Sequence, residues 1–199
     1  HYKGLHMTPE HIELVKSTVP VLRENGVALT SYFYKRMLGN HPELKNVFNL
    51  DHQSTGRQPR ALAAAVLAYA EHIENPSVLA KAVNHIANKH VSLDIQADHY
   101  SIVGENLLHS ISEVLNVPFE SELIEAWKQA YLQLADILIH AEKQKYEQLF
   151  DLVNSSDIND YLQTFMKTIT AKTIRTFRAS DLFQKEISKK FLEFQQIYN

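Results

Sequence analysis

Five side chains stand out because ring or polar groups fall on helix faces that otherwise read as buried: Tyr34, Gln58, His90, Tyr100 and Glu142. An imidazole can bind a metal or move a proton. A carboxylate or phenol can orient that imidazole, and a phenol or amide can aim a hydrogen bond at a ligand. Each residue also has a plain reading. Any one histidine among eleven is ordinarily solvated or hydrogen-bonded. Tyr34 reads equally as a core ring with its hydroxyl at the surface, and Gln58 as an ordinary N-terminal helix residue. Glu142 stands beside Lys143 and Lys145, as on a wet face. Phe48 and Leu62 suit a core with or without a site.

The elements that must position these residues are helical. Thr8-Pro9-Glu10 starts a helix with a hydroxyl cap, a proline in the first turn and an acid at the positive end of the dipole. Ile12, Val15 and Val19 follow at helical spacing, and Pro20 marks a kink or junction. A second helix is predicted from about Asn25 to Leu38, stopped by Gly39-Asn40-His41-Pro42. A third begins at Gln58-Pro59, with Leu62, Val66, Tyr69 and Ile73 on one face and small residues at 63–65 that permit close packing. A shorter helix spans about Ser77 to His90. Another opens at His99-Tyr100 and breaks before Pro118, and the last begins near Ser121 and runs through Tyr146. No strand pattern and no internal repeat interrupts this order. The expected fold class is all-α, six or seven helices around one core.

Composition agrees and excludes several functions. The 199 residues include only five glycines and six prolines, most at apparent boundaries. No cysteine is present, which rules out disulfides, iron–sulfur clusters, zinc–thiolate sites and thiol nucleophiles, and fits a cytoplasmic protein. The net charge of −3 advertises neither nucleic acid nor a membrane surface. No apolar run approaches the roughly 20 residues of a membrane span. The first six residues, His1 to His6, read as a vector remnant before Met7.

The segment from 7 to 146 resembles the single-domain haemoglobins of bacteria and the globin portion of the flavohaemoglobins. The likeness is carried by separate short motifs in fixed order. They include Thr18-Val19-Pro20-Val21-Leu22, Phe33-Tyr34-Lys35, His41-Pro42-Glu43-Leu44, Gln58-Pro59-Arg60-Ala61-Leu62-Ala63 and His72-Ile73-Glu74-Asn75. Asn88-Lys89-His90-Val91, His99-Tyr100-Ser101-Ile102-Val103-Gly104 and Ala126-Trp127-Lys128-Gln129-Ala130-Tyr131 complete the set, with Glu142 and Tyr146. The resemblance implies a globin fold around one haem b. His90 matches the axial ligand of the iron, and His85 on the same helix does not match the motif. Tyr100 and Glu142 match a pair that fixes the ligand histidine and strengthens it as a donor. Tyr34 matches a distal tyrosine whose hydroxyl faces the ligand, with Gln58 able to help it. Leu62 matches an apolar gate and Phe48 a ring packed on the haem face. The implied ligands are oxygen and nitric oxide, the implied roles oxygen delivery or nitric oxide detoxification. Flavohaemoglobins continue into a reductase, but no Gly-rich phosphate turn follows Tyr146, so turnover is expected to need an external reductase.

Residues 147–199 do not continue the globin pattern and read as a helical extension or fused fragment. Asp157 to Leu162, Thr170-Ala171-Lys172 and Arg175-Thr176-Phe177 resemble a piece of the type IB DNA topoisomerase catalytic domain. That likeness makes Arg175 a phosphate clamp, without the nucleophilic tyrosine or partner residues that cleavage requires. A DNA-interacting module is therefore the alternative reading, although the near-neutral tail argues against it. Phe183, Ile187, Phe191 and Phe194 at helical spacing also suit a homodimer contact.

Overall fold

The computed structural model describes residues 7–48 and 55–153. The expectations for residues 1–6, for the polar loop around 51–54 and for the tail with Arg175 lie outside the described residues. The described residues contain six α-helices and no strand: α1 Pro9–Ser17, α2 Val19–Asn40, α3 Arg57–Glu71, α4 Ala80–Ser92, α5 Ala97–Leu115 and α6 Glu122–Val153. Short 3-10 turns at Pro42–Asn46 and Pro76–Leu79 precede α3 and α4.

The start of α1 is as expected: the Thr8 hydroxyl accepts from the His11 backbone N–H at 3.2 Å, with Pro9 in the first turn. The next boundary differs. The chain breaks at Thr18, whose hydroxyl donates to the Val15 carbonyl at 2.6 Å, and α2 begins at Val19 rather than near Asn25. Pro20 falls in the first turn of α2, where its missing N–H costs no helical bond. Val19, read as the end of the first stripe, and Pro20, read as a kink or junction, thus start a helix of 22 residues.

The start of α3 follows Gly56, which takes a left-handed φ of +71°. α5 begins at Ala97, two residues before the expected opening. A reciprocal cap explains this: the Gln96 side chain takes an N–H of the first turn, and His99 Nδ1 accepts from the Gln96 N–H at 3.0 Å. α5 ends at Asn116 in left-handed conformation (φ 53°), before Pro118. α6 runs unbroken past Tyr146 to Val153, so the backbone does not change at the end of the globin motifs.

Helix α2 packs across α3 and α5, and α6 packs against α1, α4 and α5. The α2–α3 crossing is close because Gly26 faces Ala63; a Cβ on Gly26 would sit 3.4 Å from the Ala63 methyl. A large apolar cluster joins α1, α2, α3, α5 and α6 around Val15, Phe33, Met37, Tyr69, Ile111 and Trp127. A smaller one gathers Tyr100, Ala135 and Leu138 with Val83, Ile86 and Ile95. Side chains of both clusters line one cavity, which is where the candidate site lies.

Candidate functional site

The cavity has a volume of about 210 Å³ and a wall that is almost wholly apolar. α3 supplies Leu62, Val66 and Tyr69; α4 supplies Val83, Ile86 and His90. α5 contributes Tyr100, Val103 and Leu107, and α6 contributes Leu134 and Leu138. Phe33 and Tyr34 of α2 line it too, together with Phe48. Left unfilled, an apolar slot of about 210 Å³ leaves its lining side chains without packing partners on one side. The slot suits a large apolar group.

His90, on the last turns of α4, is one of the polar side chains of the lining. Its Nδ1 lies 2.8 Å from Glu142 Oε1 and 2.9 Å from the Tyr100 hydroxyl oxygen. The Tyr100 hydroxyl donates to the same Glu142 oxygen at 2.6 Å. A carboxylate only accepts, so the His90 ring donates through Nδ1–H. Tyr100 has spent its proton on Glu142, which leaves its oxygen as a second acceptor for that N–H. The other ring nitrogen, Nε2, has no hydrogen-bond partner among the described residues. Glu142 is only 6% exposed, so its contacts are not weakened by water. Burial, reinforced by the Glu142 carboxylate, pushes the Tyr100 phenol far above the ordinary range and keeps it a donor.

A second tyrosine supports this triad. The Tyr131 hydroxyl on α6 donates to the Tyr100 backbone carbonyl at 2.5 Å. Burial pushes the Tyr131 phenol up. The ring needs the bare Gly104, since a Cβ there would sit 2.4 Å from Tyr131 Cε1. Sequence reasoning placed Tyr131 in the core and missed this role. The signal was the glycine in Ile102-Val103-Gly104, one turn after Tyr100. His99 was likewise passed over as a helix opener, yet it caps α5 and also lines the cavity.

Tyr34 is also part of the lining, 9% exposed, its ring 5.0 Å from Phe33 and 5.7 Å from Phe48 in edge-on contacts. Burial pushes its phenol up to about 12. Among the described residues its hydroxyl has no hydrogen-bond partner, so the donor remains available. Tyr34, Phe48, Leu62, His90 and Tyr100 all line the cavity. Glu142 reaches it through His90. Gln58 is not among the lining residues; its Oε1 is buried without a partner at the start of α3. His85 is exposed.

These features meet the demands of a haem. Among the described residues, no cluster of three or more His, Asp or Glu side chains forms a site for a bare metal ion. An oriented imidazole on an apolar slot instead suits a metal carried by its own macrocycle. A helical bundle with such a slot and an oriented histidine has the architecture of a globin.

Comparison with known proteins agrees. The globin family model matches residues 31–138. The flavohemoprotein of Bordetella pertussis is 59% identical over 132 residues, which is 66% of this chain and 33% of that protein. The chain thus spans about a third of the length of the curated relatives it matches. A bacterial globin structure from Campylobacter jejuni aligns with a TM-score of 0.67 at 41% identity, over 70% of this chain and 99% of that one. A flavohemoglobin from Malassezia yamatoensis, solved with bound FAD and heme, aligns at 0.65 and 31% identity, over 71% of this chain and 38% of that one. The chain belongs to the globin family. A second model, the catalytic core of eukaryotic DNA topoisomerase I, matches residues 117–197, less than half of the chain. It shares residues 117–138 with the globin match, and α6 begins within that overlap.

Proposed function

We propose that this chain binds haem b through His90 Nε2 and takes oxygen and nitric oxide on the Tyr34 side of the cavity. The observation that carries the reading is the His90–Tyr100–Glu142 triad set in the wall of an apolar slot. When bound, the haem iron supplies an open coordination position for a diatomic ligand and a change of oxidation state.

The chain's own residues do the rest. Glu142 and Tyr100 hold the His90 ring in one tautomer and one orientation and raise its basicity through the shared Nδ1–H. A stronger donor on that side favours activation of a bound ligand over simple storage. Phe33, Leu62 and Val66 exclude water. Tyr34 keeps its proton at neutral pH and presents a donor to a polar ligand. The reaction this supports is the dioxygenation of nitric oxide: one nitric oxide, one oxygen and one electron give one nitrate. The electron comes from a reductase, the partner class this reading requires. Oxygen delivery uses the same pocket without the electron.

The test is a visible absorption spectrum of the haem-supplemented protein, oxidised, reduced and with carbon monoxide, beside His90→Ala. A Soret band that shifts on reduction and with carbon monoxide, and is lost or altered in His90→Ala, is the expected result. The absence of any Soret band in the wild type overturns the reading.

A further inference from the structure

The first turn of α3 carries Gln58 and leads to Leu62, yet it is weakly held by its own helix. Gly56 at the cap position offers no side-chain bond to the free N–H groups. Pro59 has no N–H to give. What ties this turn down comes from α2. The Thr30 hydroxyl donates to the Pro59 carbonyl at 2.6 Å and lies 3.2 Å from its own-helix acceptor, the Val27 carbonyl. Thr30 is 1% exposed, and Pro59 is buried too. A hydroxyl so deeply buried must find a partner, and this one finds it on the neighbouring helix.

The geometry points one way along α2. Gly26, Thr30 and Tyr34 are spaced four residues apart and share one ridge. Gly26 meets Ala63 and Thr30 meets Pro59, so the pairing runs toward the start of α3 as α2 runs toward Tyr34. Tyr34 is therefore the next step of the same ridge beyond the Thr30–Pro59 bond. We propose that Thr30 is a positioning residue: its hydroxyl sets where the first turn of α3, with Gln58 and Leu62, stands relative to Tyr34. It touches no ligand itself. The inference rests on the reading that Tyr34 and Leu62 form the ligand side of the cavity.

Thr30→Val keeps the shape and removes the hydroxyl, and Thr30→Ser keeps the hydroxyl. Both are made in the full chain and measured in two ways. In the haem-loaded protein, infrared absorption of the carbon monoxide complex and rebinding after photolysis report the Tyr34 side. The iron–histidine stretch of the reduced protein reports the His90 side. Independently of haem, amide hydrogen exchange reports how often the start of α3 opens. In Thr30→Val we expect a shifted or broadened carbon monoxide band, rebinding changed several-fold and an unchanged iron–histidine stretch. Exchange in Arg60–Val66 should rise about five- to tenfold, the loss expected for one buried hydrogen bond. Thr30→Ser should behave as the wild type in every readout. A wild-type band and wild-type exchange in Thr30→Val overturn the inference, as does a Thr30→Ser protein that behaves like Thr30→Val. Failure of the wild type to take up haem overturns the haem reading instead, and α3 exchange then still decides whether Thr30 holds that turn.

Discussion

Glu142 Oε1 lies 2.8 Å from His90 Nδ1, although 52 residues separate them in the chain. One carboxylate oxygen also receives the Tyr100 hydroxyl, so two donors depend on a single buried acceptor. Removing that acceptor leaves the Tyr100 hydroxyl proton without its partner and the His90 Nδ1–H with the Tyr100 oxygen alone. Glu142→Ala is expected to weaken haem binding about tenfold or more and to lower stability by about 1–3 kcal/mol. Glu142→Gln, which keeps an amide oxygen, should fall between. Transfer of haem to a competing apoprotein and urea denaturation measure both; equal transfer rates in wild type and Glu142→Ala would remove Glu142 from the site.

The haem itself should stabilise the fold. An apolar slot of about 210 Å³ gains packing contacts when it is filled, and a ligand that binds only the folded state adds its own linkage. Haem-free protein should unfold at markedly lower urea than the loaded protein. Coincident midpoints would mean that the cavity does not hold the group.

Tyr34 makes stability depend on alkaline pH. Its phenol is raised to about 12 in the folded protein, against an ordinary value near 10. The raised value means that the neutral form is favoured by folding. The contribution is therefore fully present below about pH 10 and is lost as pH rises toward about 12. Tyr34→Phe cannot titrate, so the stability difference between wild type and Tyr34→Phe should shift against the wild type across that window, by about 2 kcal/mol. A difference that stays constant from pH 9 to 12 counts against the burial argument.

Gly104 is required by its neighbour. Gly104→Ala places a methyl 2.4 Å from the Tyr131 ring, and relief requires moving either the ring or α5. The expected loss is about 1–3 kcal/mol, with a weaker or altered haem spectrum because Tyr131 bonds the Tyr100 carbonyl. A protein that melts and absorbs as the wild type does would show that the ring moves freely.

The tail should be dispensable for haem. A chain ending at Val153 keeps every residue of the triad and of the cavity lining and should show the full-length spectrum. The topoisomerase likeness is tested on the full chain: DNA binding should be weak, and Arg175→Ala should leave it unchanged. Salt-dependent binding that Arg175→Ala abolishes would restore the DNA-interacting reading.

Local sequence alone determined the helical class, the capped start of α1, the close packing allowed by small residues in α3 and the motifs that mark the family. These follow from periodicity and capping, which report each segment's own burial and ends. The break at Thr18 was not legible, because a proline reads alike as a junction or as a first-turn residue. What stands opposite what was decided only by the helix crossings. Glu142 next to Lys143 and Lys145 reads as a wet face, but the packing of α6 on α4 and α5 buries it against His90 and Tyr100. Gln58, grouped with Tyr34 by motif, does not line the cavity, while Thr30, unremarked in the sequence, bonds the Pro59 carbonyl next to it. A residue's type says what it can donate or accept; only the packed helices say what comes within about 3 Å of it.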